Sequence, residues 1–172
     1  AGADLDIFYR QKDPNDCLEF IENGKKIMRT LELIGKPIVA AVNGTALGGG
    51  MELALCCHRR IVIDSPNAKF GFPEVNFGLL PGGGGITRLL RLIGIEKALP
   101  FLIEGKQVSA KDAVDAGLMD ELAISFEEMI DIAEKWILNN QGFQQPWDRK
   151  NFTIPGGDAY NLKNAGLLAI SP

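Results

Sequence analysis

The chain has very few of the residues on which metal and cysteine chemistry depend. Its 172 residues include one histidine, His58, and three cysteines, two of them adjacent. A single histidine removes every histidine-rich metal site, and an odd number of cysteines argues against a disulfide framework. We therefore expect reduced, buried thiols and no bound metal. We expect His58 to end a helix, where a cation is favoured, and to take no part in chemistry.

Long apolar runs and blocks of one charge are also missing. No run approaches the roughly 20 apolar residues of a membrane span. The net charge is −4, and lysine and arginine are scattered along the sequence, which argues against a nucleic-acid-binding surface. The first residues, AGADLDIF, lack the charged and apolar regions of an export signal. These absences predict a soluble globular protein of the cytoplasm or another reducing compartment.

The sequence does contain an alternation of helical and strand patterns. Residues 17–34 carry apolar side chains at helical spacing, and residues 38–42 form an apolar run typical of a strand covered on both faces. A helical segment at 51–57 and a strand at 61–63 follow. The order strand, helix, strand predicts a βαβ unit with parallel strands. Further helical patterns occur at residues 86–93, 96–104, 113–116 and 126–139.

Three glycines join the first predicted strand to the helix that follows. Gly48, Gly49 and Gly50 open a helix N-terminus, where unpaired amides and a partial positive charge favour an anionic oxygen. The phosphate-loop pattern fails because Gly50 stands where lysine is required, and the dinucleotide pattern fails because Leu53 replaces its last glycine. An oxyanion hole for a carbonyl is therefore favoured. The alternative is that the glycines only allow the helix to pack closely on the strand.

Two glutamates lie close to these glycines in the sequence. Glu52 falls in the first turn of the helix, and Glu74 follows a proline on a short turn. Each has a simple explanation, as a partner of the helix dipole and as a surface residue respectively. Apolar residues flank Glu52, however, and an unpaired carboxylate in such surroundings is costly. With the glycine turn, the pair fits an acid and a base acting across a carbonyl-conjugated group and titrating as a unit.

A second glycine run, at residues 82–85, is less specific. We expect it to be a packing loop beside the substrate.

The chain resembles the enoyl-CoA hydratase/isomerase (crotonase) family in four segments: AGADL, VNGTALGGGMELAL, FGFPEVNFGLLPGGGG and SAKDAVDAGLMDEL. These cover about residues 1–125 in the family's order and spacing. The resemblance implies an α/β, crotonase-like (ClpP/crotonase) spiral of ββα units over residues 1–140, N-terminally truncated because the family's first strands precede AGADL. Residues 141–172 contain proline and glycine and are expected to form a linker or docking tail. That tail is similar to the region after the hydratase part of multifunctional β-oxidation proteins.

The resemblance also implies roles for individual residues. The backbone amides of Ala3 and Gly49 would form the oxyanion hole for a thioester carbonyl, and Glu52 and Glu74 would be the catalytic glutamates. The coenzyme A thioester is then the substrate, with no separate cofactor. The adenine end of coenzyme A would be bound by Ala1, Gly2, Asp4 and Leu5.

The implied reaction is the reversible syn hydration of trans-2-enoyl-CoA to 3-hydroxyacyl-CoA in fatty-acid β-oxidation. Δ3,Δ2-Enoyl-CoA isomerases of this type need mainly the carboxylate at the Glu74 position, so the presence of both glutamates favours a hydratase. A non-catalytic acyl-CoA-binding module is a further alternative, although binding alone would tolerate alanine or glycine at both positions. A thioester hydrolase or dehalogenase would need an activated water or an aspartate nucleophile elsewhere, and the sequence offers no such candidate.

The resemblance implies an assembly as well. The family favours homotrimers, and multifunctional members form β-oxidation complexes. We expect one of these two states, with acyl-CoA as the ligand and neither nucleic acid nor a membrane as a partner.

Overall fold

The computed structural model describes residues 13–161 together with Asp6, Arg10 and Gly166. Helix α1, Pro14–Glu32, begins after Asp13, whose side chain accepts a hydrogen bond of 2.8 Å from the Asn15 amide. Proline in the first helical turn and an aspartate before it are a strong start signal. The helix therefore begins before residue 17, where the apolar spacing alone predicts its start.

The remaining elements alternate between short strands and helices. In chain order they are β1 Val39–Val42, β2 Ala46–Leu47, α2 Gly49–Cys56, β3 Arg59–Ile63, β4 Phe70–Gly71, a 3₁₀ turn Pro73–Phe77, α3 Gly85–Ile93, α4 Ile95–Ile103, β5 Gln107–Val108, α5 Ala110–Ala116, β6 Glu121–Ala123, α6 Phe126–Asn139 and a second 3₁₀ turn Pro146–Asp148. The order strand, strand, helix occurs at β1–β2–α2 and again at β3–β4–α3, in agreement with the ββα units expected.

Two small sheets organise these elements. Strands β1, β3 and β6 form a parallel sheet in that order, with Val39 opposite Arg59 and Ile61 opposite Glu121. The predicted parallel pairing of β1 with β3 is thus confirmed. The second sheet has the order β2, β4, β5, with β2 parallel and β5 antiparallel to β4. Each of its strands has two residues, too few for a period of two to be recognised in the sequence.

The core lies on both faces of the parallel sheet. Successive strand residues point to opposite faces, so Val62 joins the main core while its neighbour Ile61 joins a smaller core under α6. The main core also contains Met51 and Leu55 from α2, which fixes that helix on the sheet. Strand β1 is less covered than expected: Ala41 is exposed, and β1 lies at the edge of its sheet in the described part of the chain.

His58 directly follows Cys57, the cap of α2, so its expected place at a helix end is confirmed, but its ring is buried and is not placed as an exposed cation would be. Its Nδ1 accepts a hydrogen bond of 2.9 Å from the Ile38 amide, and its Nε2 lies 3.0 Å from the carbonyl oxygen of Glu32. The tautomer that satisfies both contacts is neutral and protonated at Nε2. His58 therefore connects the end of α1 to the start of β1.

The cysteines are expected to be unpaired and buried. The first expectation agrees with the structure, and the second holds for two of the three. All three cysteines are free; Cys56 and Cys57 are buried, and Cys17 is partly exposed.

Residues beyond 140 pack against the rest of the described chain. The Phe143 ring meets Trp136 and His58 edge to face, with ring centroids 5.1 and 5.6 Å apart. The buried Gln145 side chain donates hydrogen bonds of 3.1 Å to the carbonyls of Cys56 and Cys57. These contacts seat the segment on the end of α2. The division of the chain at residue 140 stays a prediction.

Within residues 13–161, no helix combines the length and the apolar character that crossing a bilayer requires.

Candidate active site

The first turn of α2 is shaped by Gly48. This residue caps the helix with φ 53° and ψ −124°, a conformation that residues with a side chain rarely adopt. Its amide donates to the carbonyl of Gly71 at 3.0 Å, and its own carbonyl accepts from the Glu52 amide at 2.9 Å. A Cβ at this position would stand only 2.6 Å from Oε1 of Glu74. Glycine is therefore needed both for the backbone and for the approach of Glu74.

Glu52 lies in that first turn and is only 5% exposed. Its Oε1 accepts a hydrogen bond of 2.8 Å from the amide of Gly85. A Cβ at Gly83 would lie 2.7 Å from Oε2 of Glu52, and a Cβ at Gly85 would lie 2.9 Å from Oε1. The second glycine run thus does more than the packing expected of it, because it surrounds the carboxylate with main chain and supplies a donor.

Two opposing effects act on the ionisation of Glu52. Burial raises its pKa because the charged carboxylate loses hydration. The backbone amides of Gly85 and Gly83 and the positive charge of Arg88 lower the pKa and partly offset the burial. When Glu52 is ionised, its charge is therefore stabilised by the two amides and by Arg88.

Glu74 has a different environment. It lies at the start of the 3₁₀ turn Pro73–Phe77, and its Oε2 is buried with no hydrogen-bond partner among the described residues. Burial raises the pKa of Glu74, and the negative charge of Glu52 raises it further, while its own backbone amide lowers it. The structure therefore brings the two predicted glutamates together at the start of α2, where the charge of Glu52 acts on Glu74.

A buried arginine that sequence reasoning did not single out supports the glycine loop. Arg88 Nε donates to Oε1 of Glu32 at 2.7 Å, and Arg88 Nη1 donates to the Gly83 carbonyl at 3.0 Å. The other Glu32 oxygen accepts from Arg29 at 2.8 Å, and Arg29 also pairs with Asp148. One signal was present in the sequence: Arg88 shares the core-facing stripe of α3 with the buried residues Gly85, Leu89 and Ile93.

The predicted oxyanion hole is only partly described. Gly49 is the first residue of α2, and the first amides of a helix have no partner within the helix. The place of Gly49 is compatible with the prediction, and its role in the oxyanion hole stays a prediction. Ala3 lies outside the described residues, so its role stays a prediction. The same is true of the predicted coenzyme A contacts, Ala1, Gly2, Asp4 and Leu5.

Comparison with known proteins identifies one family. The family model described as enoyl-CoA hydratase/isomerase matches residues 1–142. A protein named fatty acid oxidation complex subunit alpha, from Shewanella loihica, is 47% identical over 122 residues, which make up 71% of this chain and 17% of that protein. The family implied by the sequence motifs is thereby confirmed.

Solved structures confirm the fold. An enoyl-CoA hydratase from Geobacillus kaustophilus superposes with a TM-score of 0.73 at 32% identity, over 81% of this chain and 52% of that one. An enoyl-CoA hydratase from Bacillus anthracis gives 0.72 at 36% identity, over 78% of this chain and 52% of the other. The crotonase-like fold is therefore confirmed. The chain spans about half the length of these hydratases and 17% of the curated relative.

Proposed function

The chain belongs to the enoyl-CoA hydratase/isomerase family, and from this we propose that it catalyses the reversible syn hydration of trans-2-enoyl-CoA to 3-hydroxyacyl-CoA. The observation that carries the proposal is the placement of Glu52 and Glu74. Both carboxylates approach the start of α2, one from the first turn and the other across Gly48. Two carboxylates that share a site and influence each other suit one acid and one base.

The surroundings of the two carboxylates support a division of roles. Burial raises the pKa of Glu52, but main-chain amides and the positive charge of Arg88 favour its ionised form and offset part of that rise. Burial and the charge of Glu52 both raise the pKa of Glu74, and one buried Glu74 oxygen has no partner among the described residues, so nothing there offsets the preference for the protonated form in the same way. We assign Glu52 as the base that orients and activates water, and Glu74 as the acid that protonates Cα.

The reaction then balances with one water. Its oxygen bonds to Cβ as Glu52 accepts a water proton, and the C=C electrons move towards Cα and the thioester oxygen. The proton of Glu74 is delivered to Cα, and the carbonyl is restored. Glu52 then returns the proton it received to Glu74 through an intervening water, which restores both carboxyl groups for the next turnover. The amides of Gly49 and Ala3 would hold the developing negative charge on the oxygen; in known oxyanion holes the loss of one donor costs about 3 kcal/mol. Dehydration is the reverse sequence.

Δ3,Δ2-Enoyl-CoA isomerisation is the second candidate. The partnerless oxygen of Glu74 favours it, because a single carboxyl group that moves a proton between two carbons suffices for that reaction. We place isomerisation as a side activity, since that reaction needs no second carboxylate and would leave the hydrogen-bonded Glu52 without a chemical role. A non-catalytic acyl-CoA-binding module would give no task to either carboxylate.

The wider setting is proposed from the relatives. The Shewanella loihica protein is named as a subunit of a fatty acid oxidation complex. We infer that the complete protein acts in β-oxidation in the cytoplasm, on acyl-CoA thioesters and without a separate cofactor in this part. We further infer that it assembles as a homotrimer or within a multifunctional complex.

A hydration assay on the complete gene product tests the proposal. Four-carbon and ten- to sixteen-carbon 2-enoyl-CoA thioesters would be followed by their conjugated absorbance, without NAD. Loss of that absorbance is the expected result. Migration of a 3-enoyl double bond without hydration would assign the isomerase reaction, and acyl-CoA binding without either reaction would assign the binding module.

A further inference from the structure

We propose that Arg88, itself held by Glu32, is a positioning residue for Glu52 and acts through the glycine loop at residues 82–85. The contacts are continuous: Glu32 accepts from Arg88, Arg88 donates to the Gly83 carbonyl, and the Gly85 amide donates to Glu52. The consequence for catalysis rests on the proposed function, whereas the consequence for the geometry of Glu52 does not.

The glycine loop needs such support. Four consecutive glycines lose more backbone freedom on ordering than any other sequence of that length, and they have no side chains with which to define one conformation. In residues 82–85, Arg88 supplies a side-chain contact to the loop at the carbonyl of Gly83. The guanidinium also packs so closely on Gly84 that a Cβ there would collide with Nη1. Arg88 therefore fixes the loop from the side of α3.

The geometry of Arg88 is fixed in turn. Glu32 is 5% exposed and Arg88 is 7% exposed, and their contact is 2.7 Å long. A planar guanidinium can hold a carboxylate and a carbonyl in two directions at once, which a lysine ammonium on a flexible stem does less well. The Arg29 contact to the other Glu32 oxygen adds a second donor, and Arg29 is bound to Asp148 beyond α6.

Three charged groups of the described residues bear on Glu52. Arg88 on α3 favours the ionised carboxylate, and Glu74 on the 3₁₀ turn is the acidic neighbour. Glu32 on α1 reaches Glu52 only through Arg88 and neutralises part of its charge. Removal of Arg88 would therefore loosen the Gly85 donor and also withdraw a positive charge that favours the ionised carboxylate.

A purely structural ion pair between α1 and α3 is the competing explanation, and the choice of variants separates the two. Arg88→Met alone leaves Glu32 buried with Arg29 as its remaining ion-pair partner and Oε1 without its donor, which threatens folding. The double variant Glu32→Gln/Arg88→Met removes both charges together and avoids that penalty. Arg91→Met is the matched control, because Arg91 is an exposed arginine one turn further along the same helix.

Steady-state kinetics on the complete gene product give the first readout. In the double variant we expect kcat for enoyl-CoA hydration to fall by about tenfold to a hundredfold with little change in KM. The acidic limb of the pH profile should move to higher pH, because Glu52 loses the cation that favours its ionisation. Arg88→Lys should lower kcat and leave that limb in place, since it keeps the charge and loses the fixed geometry. Arg91→Met should change neither quantity.

A crystal structure of the double variant gives a readout that does not depend on activity. We expect the Gly85 amide to move away from Glu52 Oε1, beyond hydrogen-bond distance. A folded double variant that keeps the 2.8 Å contact, or that keeps the wild-type pH profile, would overturn the proposal. A wild-type protein that hydrates nothing, together with a displaced Gly85 in the variant, would reject the proposed function and retain Arg88 as the support of Glu52.

Discussion

Oε1 of Glu74 lies 2.6 Å from the point where a Cβ on Gly48 would stand. The carboxyl group is therefore seated against bare main chain at the start of α2. This contact links two segments that are separated by β3 and β4 in the sequence. It also makes the position of Glu74 dependent on a residue that carries no functional group.

Substitution Gly48→Ala tests this contact. The added methyl group would meet Glu74 and would also occupy a backbone conformation that disfavours alanine, at a cost of about 1–3 kcal/mol. We expect the enoyl-CoA hydration rate to fall sharply and the free energy of unfolding to decrease. Gly44→Ala is the control, because no atom lies within 4 Å of the corresponding Cβ. An active, stable Gly48→Ala protein would contradict the placement of Glu74.

Substitution of the two glutamates should affect hydration alike and isomerisation differently. Glu52→Gln and Glu74→Gln should each reduce hydration of crotonyl-CoA by about 10²–10⁴-fold and leave the circular dichroism spectrum unchanged. Isomerisation of a 3-enoyl-CoA, if present, should survive in Glu52→Gln and vanish in Glu74→Gln, because only Glu74 has an oxygen without a partner. Glu104→Gln, at the exposed end of α4, is the control. Full hydration activity in either glutamine variant would remove the assigned roles.

Stability should depend on pH through Glu74. Burial and the charge of Glu52 raise the pKa of Glu74 above its ordinary value of 4.5, so the folded protein holds this proton more tightly than the unfolded chain. Below pH 4.5 both states are protonated and stability is unaffected; as pH rises through the raised pKa, stability is lost. Glu74→Gln avoids this loss, so its advantage over wild type should grow between pH 4.5 and neutrality.

Urea denaturation at several pH values measures that difference. We expect the difference to be modest, because Glu74 is only partly buried and water screens its charge. A stability difference that instead widens towards acid would show that the carboxylate is favoured in the folded protein, contrary to its surroundings.

Gln145 should contribute to stability although it lies beyond the last long helix. It is 2% exposed, and its amide donates to the carbonyls of Cys56 and Cys57. Gln145→Ala would remove these donors and is expected to cost about 1–3 kcal/mol, measured as a lower unfolding temperature. The exposed Gln141 provides the control variant Gln141→Ala. Equal unfolding temperatures for both variants would mean that this segment is not anchored on α2.

Local sequence signals predict much of the fold. Helix α6 spans residues 126–139, as its apolar spacing predicts, because Ser125 caps it and accepts from the Glu128 amide. The pairing of β1 with β3 follows from the order strand, helix, strand. The start of α1 is less accurate, since the cap at Asp13 precedes the apolar pattern.

The site was predicted where a polar residue stood out locally. Glu52 is conspicuous among apolar neighbours, whereas Arg88 is one of many arginines and its partner Glu32 is 56 positions away. The contacts of His58 could not be predicted for a similar reason: they join its ring to Ile38 and Glu32, which lie in distant segments. Pairings of this kind depend on tertiary packing and leave no local pattern.

The enclosure of Glu52 by main chain has a consequence for genetic variation. Every amino-acid replacement at Gly83 or Gly85 adds at least one carbon, and the first such atom would fall 2.7 or 2.9 Å from a Glu52 oxygen. In a saturation library selected for growth, both codons should therefore be depleted of variants as strongly as the codon of Glu52.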